Sequence, residues 1–297
     1  MEKIKITFLG TGNAVPTKKR NHTAILLTYK NENILVDCGE GTQRQFKIAE
    51  ISPSKITKIF ITHWHGDHIL GLPGLFQTLA MNDYNKTLEI YGPKGTDHFI
   101  SLIRKLVNVQ IKIKIKELSH EKLEFKEYFI NSSPMSHGTP TLAYSFVIKD
   151  QNRLLKEKLK KYKLPNSPLL RELKEGKDIE FEGKKIKASA VTKIETGKKV
   201  TFILDTEMNT NAIEIASDSD LLICESSFSE EEKDKAKEYL HLTATEAAGI
   251  AKKSKSKKLV LTHISQRYEH NTKVIEAEAK KVFKNVLIVK DLDVIEI

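Results

Sequence analysis

The stretch IFITHWHGDHILGLPGL, residues 59–75, decides the fold. Three histidines and one aspartate directly follow an apolar, strand-like run in it. They are His63, His65, Asp67 and His68. His63 and His65 are two residues apart, so on an extended strand end their side chains lie on the same face. Gly66 allows a sharp turn, so Asp67 and His68 can be directed back to the same point.

This cluster is typical of a metal centre. Imidazole and carboxylate groups suit Zn²⁺ or Mn²⁺, whereas Ca²⁺ prefers oxygen ligands. Ligands this close together can serve two ions roughly 3.5–4 Å apart, the arrangement that hydrolyses phosphate esters. The alternatives are a surface histidine cluster or a single structural zinc. Structural zinc sites usually use cysteine, and residues 59–75 contain none.

Three further candidate ligands end apolar runs elsewhere in the chain. They are His137 after INSSPMS, Asp205 in TFILD and His263 in LVLTH. Taken singly, each is more often a capping or surface residue. In layered α/β folds, however, functional side chains gather at strand ends. Together with residues 63–68, the three therefore predict a shared metal centre.

Composition predicts a cytoplasmic protein without a membrane partner. The chain has 297 residues, of which 39% are apolar, and no run approaches the ~20 apolar residues of a membrane span. The opening MEKIKITFLG lacks a signal peptide's apolar core and is expected to be a strand. The two cysteines, Cys38 and Cys224, follow apolar runs and are expected to be free, buried thiols. A single disulfide is the alternative.

The order of elements predicts a layered α/β fold. A strand-rich first part is followed by β–α–β alternation, and two sheets between helices are one solution. No boundary is linker-like, so residues 1–297 are interpreted as one domain. Composition changes at about 149–187, which we interpret as an inserted arm. Within it, RLLKEKLKKYKL (residues 153–164) and LLRELKEG are expected to form short helices on either side of PNSP.

Two basic segments are candidate phosphate contacts. Residues 153–164 carry six Lys/Arg and one Glu, a net +5 in a chain of net +10. The six cations are Arg153, Lys156, Lys158, Lys160, Lys161 and Lys163. The loop GTGNAVPTKKRNHT (residues 10–23) adds Lys18, Lys19 and Arg20 near the ligand end of the sheet. The alternatives are a solvated helix face and an ordinary basic loop; a helical hairpin that grips a phosphate backbone accounts better for the arm.

The chain also resembles a known family. HWHGDH fits the His-x-His-x-Asp-His signature of the metallo-β-lactamase superfamily. FLGTGNAVPT, RNHTAILL, ILVDCGEGTQRQ, ILDTEMN, LLICESSF, HLTATEAA and LTHISQRY resemble, in order, the blocks of ribonuclease Z, the tRNA 3′-processing endonuclease. ILDT and ICESSF are most similar to its archaeal branch. The resemblance covers essentially the whole chain and implies a four-layer αββα sandwich with an inserted helical arm.

The resemblance also implies a reaction and its metal ligands. The reaction is zinc-dependent removal of the 3′ trailer from tRNA precursors by a metal-activated water, which leaves a 3′-hydroxyl on the tRNA. Two Zn²⁺ per subunit are implied, with Mn²⁺ as an alternative. One ion would be held by His63, His65, His137 and a bridging Asp205. The other would be held by Asp67, His68, Asp205 and His263.

Catalytic roles are implied for two residues. Asp67 would also accept a proton from the attacking water. His241, in HLTA, would help protonate the leaving 3′ oxygen; taken from the residues alone, it is more often a capping or surface histidine. Glu225 in CESS either orients a neighbour or is a buried strand-end carboxylate. The resemblance further implies a homodimer in which one subunit's arm presents tRNA to the other subunit's site.

Two rival functions remain open, and the chain departs from the family pattern at two places. A small-molecule phosphodiesterase or arylsulfatase-like hydrolase of the same fold would not need the arm. A non-catalytic nucleic-acid-binding protein would be expected to have lost ligands, yet all seven are present. Asn166-Ser167-Pro168 stands where the family's arm has Gly-Pro. Glu207 stands where an arginine is common, so a substrate contact there is expected to be lost.

Overall fold

The computed structural model describes residues 2–297, which form strands, helices and three short 3₁₀ turns. The strands are β1 Lys5–Gly10, β2 Ala24–Tyr29, β3 Glu32–Val36, β4 Lys58–Phe60, β5 Thr87–Gly92, β6 Lys112–Glu117, β7 Lys122–Glu124, β8 Tyr128–Met135, β9 Thr141–Ile148, β10 Gln151–Leu154, β11 Ile179–Phe181, β12 Lys184–Ile186, β13 Thr192–Glu195, β14 Lys199–Ile203, β15 Leu221–Glu225, β16 Leu259–Thr262, β17 Val286–Ile288 and β18 Val294–Glu296. The helices are α1 Thr42–Ile48, α2 Gly66–Ile69, α3 Leu72–Met81, α4 Thr96–Val107, α5 Lys156–Lys161, α6 Leu169–Lys174, α7 Ala188–Val191, α8 Thr210–Ile215, α9 Lys233–Glu238, α10 Ala244–Lys253 and α11 Lys273–Val282.

The chain divides into two compact units. The larger unit comprises residues Glu2–Glu124, Ile130–Phe146 and Lys199–Ile297. The smaller unit comprises Phe125–Phe129 and Val147–Lys198. No helix within residues 2–297 is both long enough and apolar enough to cross a membrane. The two cysteines are free and buried, as predicted.

Two seven-stranded sheets organise the larger unit. The first has the order β18-β1-β2-β3-β4-β5-β6, and the second has the order β17-β16-β15-β14-β9-β8-β7. Strands β3 to β6 run parallel to one another, as do β14 to β17. Parallel strands are usually covered on both faces and are therefore almost continuously apolar. The short runs KIF of β4 and LVLT of β16 are fully buried and fit this rule.

Helices cover the outer face of each sheet, and aromatic rings fill the space between the sheets. Phe46 of α1, Leu75 of α3 and Ile100 of α4 belong to the core of the first sheet. The second sheet shares a core with α8, α10 and α11. Between the sheets, Phe60 meets Tyr144 edge to face with ring centroids 5.0 Å apart. The order helix, sheet, sheet, helix confirms the predicted αββα sandwich.

The C-terminal segment VLIVKDLDVIEI contributes one strand to each sheet. Its first part, β17, lies in the second sheet, whereas β18 pairs with β1 in the first. A turn separates the two strands, because the Asp293 carboxylate accepts the Lys290 N–H at 2.8 Å and Leu292 has a φ of 69°. The polar residues of this turn end one strand and start the next, although the residues on either side are apolar.

The smaller unit has its own core and two antiparallel strand pairs, β10–β13 and β11–β12. Its buried apolar side chains include Leu159 of α5, Leu173 of α6 and Val191 of α7. The smaller unit contains all of residues 149–187, the range interpreted as an inserted arm.

The prediction of one helix over residues 153–164 is wrong at its start. Arg153 and Leu154 lie in β10, where they pair with Lys193 and Thr192 of β13. The helix α5 covers only Lys156–Lys161. Arg153 and Leu154 are extended because they pair with a strand some forty residues away in the chain. Pairing with a distant strand cannot be recognised from the local sequence.

Candidate active site

The site lies where parallel strands end. Asp37 and His63 follow β3 and β4 of the first sheet, while Asp205 and His263 follow β14 and β16 of the second. Glu225 is the last residue of β15. Because parallel neighbours end at the same edge of a sheet, side chains distant in sequence are brought together there.

The HWHGDH motif changes from extended chain to helix within a few residues. His63 and His65 precede α2, and Asp67 and His68 lie in its single turn. Gly39 allows this turn to approach the first sheet closely, since a Cβ on Gly39 would lie 2.3 Å from the Asp67 carbonyl oxygen. The predicted convergence of the four side chains therefore depends on a glycine outside the motif.

The predicted ligands form two groups that share Asp205. Within each group the ligand atoms lie within 4.8 Å of one another. One group contains His63, His65, His137 and Asp205, and the other contains Asp67, His68, Asp205 and His263. All seven side chains predicted as ligands are thus brought together.

The two oxygens of Asp205 face different groups. Its Oδ2 lies 3.6 Å from Nε2 of both His63 and His137. Its Oδ1 lies 3.3 Å from Nε2 of His68 and 3.1 Å from Nε2 of His263. A carboxylate placed in this way can bridge two cations.

One buried ligand atom lacks the partner that such atoms normally have. His63 Nε2 is buried without a hydrogen-bond partner, although buried polar atoms are nearly always paired. Nε2 of His68 and Nε2 of His263 lie 3.2 Å apart. The donor set is nitrogen and oxygen only, which suits Zn²⁺. The residues present therefore fit two divalent cations.

Backbone strain is concentrated at the same strand ends. Asp37, Asp205 and His263 have φ values of 57°, 27° and 58°. Such conformations cost of order 1–3 kcal/mol for a residue with a side chain, and they persist where the surrounding structure enforces them. Here the strain turns each side chain out of its strand and into the site.

A second set of residues orients the histidines. Asp37 Oδ2 accepts a hydrogen bond from His68 Nδ1 at 2.6 Å, and Asp37 also accepts the Thr62 N–H and O–H, each at 2.7 Å. Thr62 Oγ1 lies 3.1 Å from His63 Nδ1. His137 Nδ1 donates to the Leu240 carbonyl at 2.9 Å. Each contact engages Nδ1 and leaves Nε2 to face the centre.

Sequence analysis did not identify Asp37 or Thr62 as site residues. Asp37 ends the apolar run ILV, just as Asp205 ends FIL, so the same strand-end rule could have found it. Thr62 carries no comparable signal, because a buried threonine in a strand-like run is ordinary.

Burial and neighbouring charges shift the pKa values of the ligand side chains. Burial lowers the pKa of His63 and of His65, and neighbouring histidines add to that effect. Burial opposes the charged form of Asp205, but His263 and His68 outweigh it and hold the pKa of Asp205 well below its usual range. For His68, the carboxylates of Asp205, Asp37 and Asp67 outweigh burial and raise its pKa. Asp205 therefore stays ionised while buried, which favours cations nearby.

His241 lies beside this centre and is paired with Glu225. Its ring centroid is 4.9 Å from that of His137, and its Nδ1 donates to Glu225 Oε1 at 2.9 Å. Burial lowers the pKa of His241, but Glu225 and then Asp205 outweigh burial and raise that pKa to about 9. Glu225 is buried, whereas the His241 side chain is 14% exposed. The His241 side chain borders a cavity of about 340 Å³. Ligand residues of both groups, together with Phe228, Tyr239 and Arg267, also line this cavity.

The predicted phosphate contacts differ in exposure. Lys18 and Lys19 are exposed, but Arg20 is only 4% exposed. Arg20 Nη1 donates to Thr11 Oγ1 at 2.6 Å and to the Val289 carbonyl at 2.8 Å. Arg20 thus fixes the loop to the body, and its charge is not presented at the surface as expected.

The six cations predicted for the arm lie in the smaller unit. Lys156, Lys158, Lys160, Lys161 and Lys163 are exposed. Arg153 is also exposed, but its Nη1 donates to Glu195 Oε1 at 3.1 Å.

Glu207, which stands where the family often has arginine, has a partner. Its carboxylate accepts the Ser136 O–H at 2.6 Å, and its N–H donates to the Ser136 carbonyl at 3.0 Å. Glu207 therefore fixes the segment that immediately precedes His137.

Comparison with known proteins agrees with this geometry. A family model described as Anti-Pycsar protein Apyc1 matches residues 4–285. A ribonuclease Z from Nanoarchaeum equitans is 42% identical over 294 residues, which cover 98% of this chain and 92% of that protein.

Solved structures have the same fold. The crystal structure of human tRNase Z, short form (ELAC1), superposes with a TM-score of 0.71 and 26% identity, covering 98% of each chain. The metallo-β-lactamase fold protein YhfI from Bacillus subtilis superposes with a TM-score of 0.73, covers all of both chains and is 20% identical, so it supports the fold alone. The chain therefore belongs to the sequence family described as Anti-Pycsar protein Apyc1 and, as its named relatives show, to the ribonuclease Z family.

Proposed function

We propose that this protein is a zinc-dependent endoribonuclease that removes the 3′ trailer from tRNA precursors and leaves a 3′-hydroxyl on the tRNA. One observation carries the proposal. The two oxygens of Asp205 are divided between two ligand groups, next to a buried Glu225–His241 pair. The names of the relatives, ribonuclease Z and tRNase Z, supply the substrate class.

In this proposal two Zn²⁺ ions occupy the two ligand groups. His63, His65, His137 and Asp205 hold one ion, and Asp67, His68, Asp205 and His263 hold the other. When bound, such ions stabilise negative charge on phosphate oxygens and lower the pKa of a water molecule. Mn²⁺ has compatible ligand preferences and is the alternative.

The chain's own residues handle the protons. Asp67, whose side chain is 11% exposed, is placed to accept a proton from the attacking water. That water forms a new bond to phosphorus while the bond from phosphorus to the 3′ oxygen breaks. His241 donates a proton from Nε2 to the departing 3′ oxygen, since its Nδ1 is bonded to Glu225. A donor of this kind typically contributes 10²–10⁴-fold to the rate, as an order of magnitude.

Phosphate contacts outside the centre are assigned to exposed lysines. Lys18 and Lys19 lie on the loop that also contributes residues 13–15 to the cavity wall. The five exposed lysines of residues 156–163 form a second set, and we propose that residues 149–187 act as an arm that grips tRNA within a single metallo-β-lactamase domain of residues 1–297. Such contacts supply affinity that does not depend on sequence.

We further propose that the protein is a homodimer. Phe99, Leu102 and Leu106 are spaced three and four residues apart on α4 and are 40%, 48% and 77% exposed. Side chains with this spacing share a helix face, and an exposed apolar face favours association. Sedimentation equilibrium tests the proposal, with Leu106→Lys expected to weaken the dimer; a monomeric wild type would contradict it.

A cytoplasmic location is also proposed. The buried free thiols Cys38 and Cys224 suit a reducing compartment, and tRNA precursors are expected there. Cell fractionation with an antibody to the protein tests this, and recovery outside the cytoplasm would contradict it.

The decisive experiment is cleavage of a tRNA precursor with a 3′ extension. The purified protein loaded with Zn²⁺ is expected to cut at the 3′ end of the mature tRNA, to leave a 3′-hydroxyl, and to lose activity in chelator. Bis-p-nitrophenyl phosphate serves as the small diester. Cleavage of this compound without any cleavage of the precursor would favour a small-molecule phosphodiesterase and overturn the proposal.

A further inference from the structure

We propose that Ser227 is a positioning residue that serves the metal ligand His263 and the Glu225–His241 pair at the same time. The inference rests on the proposed function for the role of His241, but its effect on metal binding can be measured without substrate. Ser227 is fully buried and does not border the cavity. It therefore acts through its neighbours and not on the substrate.

The Ser227 hydroxyl lies between the two parts of the site. Its oxygen is 2.7 Å from Glu225 Oε2 and 2.9 Å from His263 Nδ1. It is 3.5 Å from His241 Nδ1, which has a closer partner in Glu225 Oε1 at 2.9 Å. One hydroxyl thus contacts both a metal ligand and the carboxylate that holds the proposed acid.

The direction of each hydrogen bond follows from the number of protons available. Nε2 of His263 faces Asp205 Oδ1 at 3.1 Å and Asp67 Oδ2 at 3.4 Å, so in a metal ligand this nitrogen must be free of a proton. The proton of neutral His263 therefore lies on Nδ1 and is donated to Ser227 Oγ. The hydroxyl proton of Ser227 then goes to Glu225 Oε2, because a carboxylate only accepts.

The chain of hydrogen bonds continues to the proposed acid. Glu225 Oε1 accepts the N–H of Thr206 at 2.8 Å as well as His241 Nδ1–H. Ser227 and Thr206 thus hold opposite oxygens of Glu225, which fixes the plane of the carboxylate. One series of hydrogen bonds therefore connects His263, Ser227, Glu225 and His241. Each of these hydrogen bonds has one donor and one acceptor.

The same hydrogen bonds account for a third cluster of possible ligands without a metal ion. Glu225, His241 and His263 each offer a ligand atom within 4.8 Å of the others. His263 Nδ1 and both oxygens of Glu225 are already engaged by Ser227, Thr206 and His241. A hydroxyl, not an ion, links these three side chains.

Removing the hydroxyl affects both parts of the site. His263 Nδ1–H would lose its acceptor at a buried position, which favours other ring orientations or the other tautomer. Glu225 Oε2 would lose its shorter hydrogen bond, at 2.7 Å, and keep only the longer one from the backbone N–H of residue 227, at 3.4 Å. The carboxylate that aims His241 would then be held less firmly. Loss of an outer hydrogen-bond partner of a metal ligand typically costs about 10–100-fold in metal affinity or activity.

Ser226 provides a matched control. It is the preceding residue, is equally buried, and its hydroxyl donates to the Thr262 carbonyl at 3.4 Å. Its hydroxyl is not among the partners of Glu225, His241 or His263 within residues 2–297. Ser226→Ala therefore removes a hydroxyl of the same kind from the same segment without touching the series.

The test compares Ser227→Ala, Ser227→Cys and Ser226→Ala as full-length proteins. Ser227→Cys nearly keeps the side-chain volume but offers only a weak donor and acceptor, so it carries the test if Ser227→Ala does not fold. Zinc affinity is measured by competition with a chromophoric chelator in the absence of substrate. Single-turnover cleavage of a tRNA precursor is then measured at saturating zinc over a range of enzyme concentrations.

For both Ser227 variants we expect the zinc dissociation constant of the weaker site to rise by about 10–100-fold. The maximal cleavage rate at saturating zinc should fall by about 10–100-fold with little change in the half-saturating enzyme concentration. Ser226→Ala should stay within about twofold of wild type in both measurements. Ser227 variants that match Ser226→Ala in either measurement would overturn the shared role. If wild type does not cleave the precursor, the proposed function fails, and the zinc measurement alone decides whether Ser227 positions His263.

Discussion

Asp205 is the single residue on which both ligand groups depend. We predict that Asp205→Asn prevents tight binding at both positions, because an amide cannot supply charge to two cations at once. Metal analysis after gel filtration should give well under one zinc per chain, against two for wild type. Asp234→Asn is the control, since Asp234 is exposed in α9 and belongs to neither group. Two tightly held zincs in Asp205→Asn would disprove the bridging role.

His241 is the residue expected to act in the chemical step and not in binding. His241→Ala should retain zinc and precursor affinity but slow single-turnover cleavage by on the order of 10²–10⁴-fold. A rate within about twofold of wild type would exclude a role as the acid.

Glu225 should determine the pH range over which His241 works. Its carboxylate raises the pKa of His241, which reaches about 9. An acid must be protonated, so the rate should fall as pH rises through that pKa. Glu225→Gln removes the charge, lowers the pKa of His241 and should move this decline to lower pH. The measurement is the pH profile of the single-turnover rate; an unmoved alkaline limb would contradict the pairing.

At the residue scale, the structure brings together all seven side chains predicted as ligands, but the residues that support them were not predicted. Histidines and aspartates at several strand ends are conspicuous as a set, because functional side chains gather there in layered α/β folds. Thr62 and Ser227 resemble ordinary buried hydroxyls, and their importance depends on neighbours far away in sequence. Arg20 shows the opposite error, since a cation in a basic loop proved to be buried.

At the element scale, the local pattern predicted some segments correctly but failed where pairing with a distant strand decides. Leu169–Lys174 is a helix, as LLRELKEG predicted. Arg153 and Leu154, expected in a helix, form a strand because β13 pairs with them. α1 and α9 were not predicted at all, since their short sequences TQRQFKI and KDKAKE show little helical periodicity.

The proposed phosphate contacts of α5 and the residues after it can be tested by substitution, without deleting any residue. Deleting residues 153–175 would remove Leu159 and Leu173 from the smaller unit's core. Changing Lys160, Lys161 and Lys163 to Gln leaves that core intact. We expect weaker precursor binding and a plot of log affinity against log salt that flattens by roughly 2–3 units if all three contact phosphates.

The chain contains a matched set of lysines for this experiment. Lys160 and Lys161 lie in the last turn of α5, and Lys163 follows with a φ of 53°. In α10 the corresponding residues are Lys252, Lys253 and Lys255, the last with a φ of 55°. The two triple Gln variants change net charge equally. Equal losses of affinity in both would show that only overall charge matters and that residues 153–164 are a solvated surface.

At the scale of the whole molecule, the alternation of elements predicted a layered α/β fold, and the αββα sandwich followed from the resemblance to ribonuclease Z. What the sequence could not show is how the two sheets meet. The carbonyl of Thr62, which follows β4 of the first sheet, accepts the N–H of Leu142 in β9 of the second sheet at 2.9 Å. Tyr144 of the second sheet donates its O–H to the Ile61 carbonyl at 2.6 Å. Hydrogen bonds of this kind align the strand ends so that their polar residues can form one site.

Because both sheets contribute ligands, metal binding should stabilise the whole sandwich. His63 and His68 follow the first sheet, whereas Asp205 and His263 follow the second. Unfolding separates these groups, so only the folded state binds the ions as a set. Free zinc at 100 times the dissociation constant stabilises the folded state by about 2.7 kcal/mol per site.

We therefore predict that removing metal lowers the thermal midpoint of wild type. At roughly 2–4 °C per kcal/mol for a chain of this size, one site filled to that degree corresponds to roughly 5–11 °C. The measurement is scanning calorimetry with zinc and with chelator, repeated on Asp205→Asn. The variant should show little difference between the two conditions, because it lacks the residue that both groups share. A wild-type midpoint that chelator does not change would mean that the sheets are held together without the ions, and that zinc at this edge serves chemistry alone.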